Sequence, residues 1–288
     1  MLIAFLGETC WYLSGSDRLA QIEYYIPKYR SFVGATRRAV RTRGAYGPRL
    51  FGGAEKSQMK SILQTLQKKQ GKSDTRQAVA QIFDQSDLRG SNGDVPCTTT
   101  LQFLPRAGKL HLIATMRSND IYRGFPADVF AFTFIQELLA RALQLEIGTY
   151  NHFVGSLHLY DEDEGNARSY LDEGFQSPVG MPAMPKGDPW QSVTWLLEAE
   201  RAIRCGLPEP QKAGIDDYWI DLTRLLLIKK LHDTKNLRRL IQVKNEMASP
   251  VYNAFIRGKQ LALERNLSAP PRQADLPGVD VPQTKKAP

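Results

Sequence analysis

Cys97 follows Pro96 at the entrance to a run of strand-forming residues that begins at Thr98, and twenty residues later the sequence reads Arg117-Ser118-Asn119-Asp120. A thiol so placed can serve as a nucleophile once its proton is lost, and a neighbouring arginine is one way to favour the thiolate. Taken alone, a single cysteine is more often a small buried hydrophobe. The chain has three cysteines, Cys10, Cys97 and Cys205, with no Cys-x-x-Cys pair and no nearby histidine spacing. Neither a disulfide framework nor a metal site is expected, and a reducing, cytoplasmic setting is.

The surroundings of Cys97 carry more information than the cysteine does. In order come Pro96-Cys97, Gln102-Phe103, Arg117-Ser118-x-Asp120, Gly124-x-Pro126 and His158-x-Tyr160. Upstream lie Glu8-x-x-Trp11-x-Leu13-x-Gly15 and Tyr46-Gly47. This succession resembles the thymidylate synthase superfamily, whose pattern runs Glu-x-x-Trp-Phe-Leu-x-Gly, Tyr-Gly, Pro-Cys, Arg-Ser-x-Asp, Gly-x-Pro-Phe-Asn and His-x-Tyr. The likeness covers about residues 5 to 165. Several spaced elements in one order are specific where each alone would be weak.

The resemblance implies a chemistry. Position 5 of a pyrimidine is a poor nucleophile, so the family adds a thiolate at C6 to make C5 enolate-like. Cys97 is the implied nucleophile, with Arg117 lowering its pKa and touching the nucleotide phosphate beside Ser118. Glu8 would organise water and proton transfer near position 4 of the base, and Tyr46 would assist proton removal at C5. His158 and Tyr160 match the pair that binds the sugar 3′-hydroxyl. Asp120 matches the aspartate holding the pterin of 5,10-methylenetetrahydrofolate, the implied cofactor.

One position departs from the synthase pattern in a way that changes the expected substrate. The asparagine that reads uracil falls on Asp128. An asparagine amide donates to O4 and accepts from N3–H, whereas cytosine presents an N4 amino donor and an N3 acceptor. A carboxyl accepts from N4–H and, when protonated, donates to N3. Asp128 is what the family's cytidylate hydroxymethylases carry, so the expected substrate is CMP or dCMP and the expected product its 5-hydroxymethyl derivative. Thymidylate synthesis from dUMP and a catalytically lapsed nucleotide-binding protein are the alternatives.

Other departures bear on phosphate and folate. Thr98 stands where histidine usually follows the nucleophile. The family's paired arginines, which reach the neighbouring subunit's phosphate site, align with Arg76 and Gln77, and two folate-stacking tryptophans align with Phe32 and Ala35. The usual N-terminal phosphate-binding arginine has no counterpart before Glu8. Either the chain begins upstream of Met1, or phosphate binding relies on Arg117, Arg76 and the basic stretch near Arg43. Beyond about residue 165 the likeness ends.

These groups must be held by a scaffold, and the patterning specifies one. Apolar Leu2 to Leu13 reads as a helix stopping at Gly15, with a second helix from near Asp17. The basic stretch carrying Arg37, Arg38, Arg41 and Arg43 reads as a solvated helical face ending in a turn at residues 44–48. An amphipathic helix over 55–70 precedes a strand over 78–83. A hairpin joins residues 98–104 and 110–116, a buried helix spans 125–145, and a strand runs from 148 to 160. Helices follow near 168–171 and over 190–205, 215–231 and roughly 237–266.

The 288 residues, 42% hydrophobic and 24% charged, suit an ordinary globular protein. The expected fold class is α/β (α+β), a mixed sheet with helices packed on one face and a helical C-terminal extension. Residues 1–165 would form the catalytic core, 166–268 a helical portion of the same domain, and 269–288 a disordered tail. A net charge of +8 favours anionic partners. A pyrimidine nucleoside monophosphate and a second copy of the chain, as a homodimer, are the implied partners. With no nucleic-acid-binding motif and no long apolar run, neither nucleic acid nor membrane is expected.

Overall fold

The structure, a computed structural model, describes residues 1–53, 57–69, 74–89, 94–175 and 178–268. The first helices are α1 (Leu2–Leu13), α2 (Leu19–Tyr25), α3 (Tyr29–Phe32), α4 (Tyr46–Phe51) and α5 (Gln58–Lys69). The chain then passes through β1 (Val79–Gln81), β2 (Thr98–Arg106), β3 (Lys109–Met116) and β4 (Asn119–Asp120) to α6 (Gly124–Ala142). After β5 (Glu146–Val154) and β6 (Leu157–His158) come α7 (Glu164–Asp172), α8 (Trp190–Cys205), α9 (Asp217–Asp233), α10 (Leu237–Asn245) and α11 (Asn253–Ser268).

The main sheet has the order β1-β2-β3-β5, antiparallel except for the parallel β3–β5 pair. β2 and β3 close a two-residue hairpin because Ala107 and Gly108 both adopt left-handed φ, 46° and 74°, the twist such turns require. Alternation on β3 buries Leu110, Leu112, Ala114 and Met116 against the helices. α6 crosses that face, and Gln136 fastens it by donating from Nε2 to the Leu110 carbonyl at 2.8 Å. α1, buried continuously from Leu6 to Leu13, packs beside α6, with α8 and α9 covering its other side. The opposite face of the sheet is open, with Ile147 43% and Phe153 59% exposed.

α1 does stop at Gly15, whose φ is 63°, and the mixed sheet, hairpin and α8 stand as expected. Five elements differ. The Arg37–Arg43 stretch is irregular rather than helical, because its backbone bonds back to the turn before α2, Leu19 N to Val40 O and Thr42 N to Asp17 O. Tyr46 opens a short helix instead of lying in a turn. The expected strand over 148–160 is two strands, since Gly155 caps β3 through the Met116 carbonyl and the chain then pairs with β4. The helix expected over 237–266 breaks where Pro250 cannot continue it. α6 ends at Ala142, short of Leu145, where Gln144 turns left-handed at φ 56°. The tail, 269–288, lies outside the described residues.

Candidate active site

α1 brings Glu8 and Tyr12 one turn apart on the same face. Tyr12 Oη donates to Glu8 Oε1 at 2.7 Å, and both side chains are buried. Burial pushes the Glu8 carboxyl up to about 7, against the pull of that hydrogen bond. The Tyr12 ring lies 5.2 Å from Tyr46, which begins α4. Tyr46 Oη accepts from Thr98 N and from Thr98 Oγ1, both at 3.1 Å. Thr98, which follows Cys97, thus ties Tyr46 to the head of β2. Burial raises the Tyr46 phenol well above its usual range, so it remains protonated.

Cys97 is half-buried at the head of β2, and its carbonyl accepts from Arg117 N at 2.9 Å. The Arg117 guanidinium spans the same turn: Nε donates to Pro96 O at 2.9 Å and Nη2 to Val95 O at 2.7 Å, with Nη2 3.8 Å from Cys97 Sγ. Arg117 therefore sits where the sequence put it. The expected lowering of the thiol pKa does not result, however. Burial raises the thiol, Asp128 and Asp94 add to the rise, and Arg117 offsets only part of it. Cys97 therefore rests as a thiol.

Asp128 lies in the second turn of α6, 8% exposed, and burial followed by the nearby Glu8 charge pushes its carboxyl well above the ordinary carboxylate range. Two acids close enough to repel do not both ionise readily. The pairing of β4 with β6 sets Asp120 opposite His158 and brings Ser118 Oγ within 3.4 Å of His158 Nδ1. His158 and the exposed Tyr160 meet edge to face at 4.8 Å.

Asp120 turns the chain into α6: its Oδ1 accepts from the backbone N–H of Tyr122 at 2.9 Å and of Arg123. Its Oδ2 is buried without a hydrogen-bond partner. An orphaned carboxylate oxygen suits the adjacent N–H donors of a pterin ring, so the residues present fit a reduced folate. Beside it, Arg123 lies over the half-exposed ring of Phe32 at 4.9 Å.

One predicted residue is not brought to this cluster within the chain. Arg76 is exposed at the sheet edge, its carbonyl held by Gln102 Nε2 at 3.1 Å. Gln102 is four residues along β2 from Thr98, on the order of 13 Å. Conversely, Tyr12, Tyr29, Asn119 and His152 line the cluster without having been singled out. Tyr12 carried a signal, since it follows Trp11 where the family pattern has phenylalanine and stands four residues from Glu8. Tyr29, 5.3 Å edge to face from Trp11, carried none, and nor did Asn119 and His152, which meet only in the fold. Among the described residues no cluster of His, Cys, Asp and Glu could hold a metal, and no helix is long and apolar enough to cross a membrane.

A family profile described as thymidylate synthase matches residues 2–184. The chain belongs to the thymidylate synthase family. It is 39% identical over 111 residues to a deoxyuridylate hydroxymethyltransferase of Bacillus phage SP01, covering 38% of this chain and 28% of that protein. A protein of the same name from Delftia phage PhiW-14 is 28% identical over 212 residues, 68% of this chain and 56% of the relative. The thymidylate synthase of Bacillus phage phi3T is 30% identical over 105 residues, 36% of this chain and 37% of that one. The matched segments thus span about a quarter to just over half of these relatives. Among solved structures, the thymidylate synthase from T4 phage superposes with a TM-score of 0.50 at 19% identity, covering 68% of this chain and 73% of that one. This likeness establishes the fold.

Proposed function

We propose that this member of the thymidylate synthase family transfers one carbon from 5,10-methylenetetrahydrofolate to C5 of CMP or dCMP and hydrates it, giving the 5-hydroxymethyl nucleotide. The observation that carries the reading is Asp128, buried at the base-reading position with its carboxyl pushed well above the ordinary carboxylate range by burial and the nearby Glu8 charge. The hydroxymethyltransferase names of two relatives support the hydroxymethyl outcome.

The cofactor, when bound against Asp120 and Phe32, supplies the one-carbon unit. Asp128 donates its proton toward N3 and accepts from N4–H, making C6 electrophilic. Cys97 loses its proton and its Sγ bonds to C6, so that electron density gathers at C5, the atom that takes up the carbon. A proton then leaves C5, relayed through the Tyr46 hydroxyl, and the bond from the transferred carbon to the departing tetrahydrofolate nitrogen would break with it, leaving an exocyclic methylene on C5. Glu8, with a pKa near neutrality, takes a proton from the water that adds to the exocyclic methylene. Loss of Cys97 Sγ from C6 restores the aromatic base. Arg117, Ser118, His158 and Tyr160 hold phosphate and sugar.

A homodimer formed through the open sheet face, where Ile147 and Phe153 are exposed, fits this reading and gives Arg76 a site to serve in the partner subunit. The cytoplasm, with its reduced thiols and nucleotides, is the fitting compartment. The names of the same relatives favour a second reading, hydroxymethylation of deoxyuridylate. Incubation with methylenetetrahydrofolate and, separately, CMP, dCMP, UMP and dUMP distinguishes them by product mass. A gain of CH2O on a cytidylate is expected. The same gain on dUMP supports the second reading, and a gain of CH2 on dUMP restores thymidylate synthesis.

A further inference from the structure

The inference rests on the reading of Asp120 as the carboxylate that meets the pterin. Asp120 and His158 do not belong to the main sheet. They stand opposite each other on the two-stranded β4–β6 sheet, whereas Cys97 leads into β2 of the four-stranded one. β4 finds its backbone partners on β6 and beside it: Asn119 N donates to Ser156 O and Ile121 N to His158 O, both at 2.9 Å. Two residues paired along one edge are a weak support for a ligand-binding acid. The side chain of Asn119 ties the other side down.

Alternation along β4 turns that side chain away from the Asp120 carboxyl, and Asn119 is 3% exposed. Nδ2 lies 3.1 Å from Sδ of Met116, the last residue of β3, and 3.3 Å from Nε2 of His152 on β5. A thioether sulfur accepts and does not donate, so the amide atom beside it is nitrogen, and the ring nitrogen that shares this amide accepts as well. Both Nδ2 protons are thus spent on the main sheet. With Nε2 accepting, the ring proton sits on Nδ1 and is donated to Tyr150 Oη at 2.5 Å. Burial favours this neutral imidazole. Phe125, in the first turn of α6, meets the ring edge to face at 5.1 Å. Oδ1 of the amide faces Gly124, where an added Cβ would come within 2.6 Å of it, so α6 starts directly against Asn119. The next residue, Asp120, spends Oδ1 on the Tyr122 and Arg123 N–H groups and leaves Oδ2 buried without a partner.

The geometry points to His152, acting through Asn119, as the positioning residue that fixes the Asp120 carboxylate for the cofactor. The Asn119–His152 bond joins the sheet that follows the nucleophile to the sheet that carries the acid for the folate. Without an acceptor at position 152, an amide proton is left buried and unpaired. β4 relieves that cost by shifting, and Asp120 shifts with it.

Calorimetric titration with tetrahydrofolate tests this on the wild type, His152→Phe and His152→Gln, in the presence of whichever of CMP, dCMP, UMP and dUMP binds tightest, each nucleotide having been titrated first. His152→Phe offers no acceptor and should raise the tetrahydrofolate Kd about tenfold, with the nucleotide Kd changed about twofold or less. His152→Gln, whose Oε1 can accept from Asn119, should recover most of the loss. A merely structural residue would weaken nucleotide and tetrahydrofolate alike, and that result overturns the proposal. So does an unchanged tetrahydrofolate Kd in His152→Phe, which leaves the folate reading standing. Should His152→Phe fail to fold, Asn119→Leu, similar in size and unable to donate, carries the same test. A wild type that binds no tetrahydrofolate, with or without nucleotide, overturns the folate reading and the proposal together.

Discussion

Glu8 and Tyr12 show how one hydrogen bond tunes a buried carboxyl, the group given the role of base in the proposed mechanism. Because the Tyr12 hydroxyl favours the Glu8 carboxylate, Tyr12→Phe should raise the Glu8 pKa further and move the acid limb of the pH–rate profile to higher pH by about one unit. An unmoved limb would remove Glu8 ionisation from the rate-limiting chemistry. The same burial has a stability cost of opposite sense. The Glu8 pKa is about 7 folded against an ordinary 4.5, so the unfolded chain ionises first and folded-state stability falls as pH rises between those values. Glu8→Gln should therefore melt higher than wild type at pH 8, by on the order of 3 kcal/mol, and match it near pH 4. At Cys97 burial outweighs Arg117. Iodoacetamide alkylation of Cys97 should speed up with pH beyond the ordinary thiol range, and Arg117→Gln should slow it severalfold at pH 8. An unchanged alkylation rate would show that the guanidinium does not act on the thiol.

The elements that position these groups were mostly readable because their patterns are local. α1 announces itself by an apolar run and a glycine stop, and the β2–β3 hairpin by alternation around Ala107-Gly108. α8 has the boundaries its spacing suggested. Two of the misreadings share a cause. The Arg37–Arg43 stretch bonds to residues 17–19, and β5 and β6 part company because β3 ends and β4 begins beside them; such partners are distant in sequence and leave no local trace. The candidate site divides the same way. Cys97, Glu8 and Asp128 could be named from short motifs, whereas Asn119 and His152 become neighbours only when β4 lies beside the end of β5. α6 is the central support, with Phe132 fully buried beneath Tyr46. Phe132→Ala should cost about 3–5 kcal/mol in chemical denaturation. A loss below 1 kcal/mol would mean that the α6 contact does not hold the site.

For the molecule as a whole, a sheet with one face packed and the other carrying exposed Ile147 and Phe153 is half of a larger assembly in this account. Phe153→Asp should give a folded monomer by sedimentation with catalysis lost. A wild-type monomer that is fully active would remove the dimer, and with it the role given to Arg76. The central claim, that a buried neutral acid at position 128 chooses cytidylate, is tested most directly by exchanging that acid for its amide. With methylenetetrahydrofolate and the four nucleotides, product masses should show wild type acting on a cytidylate and Asp128→Asn shifting preference to a uridylate. The same base preference in both proteins would contradict the account.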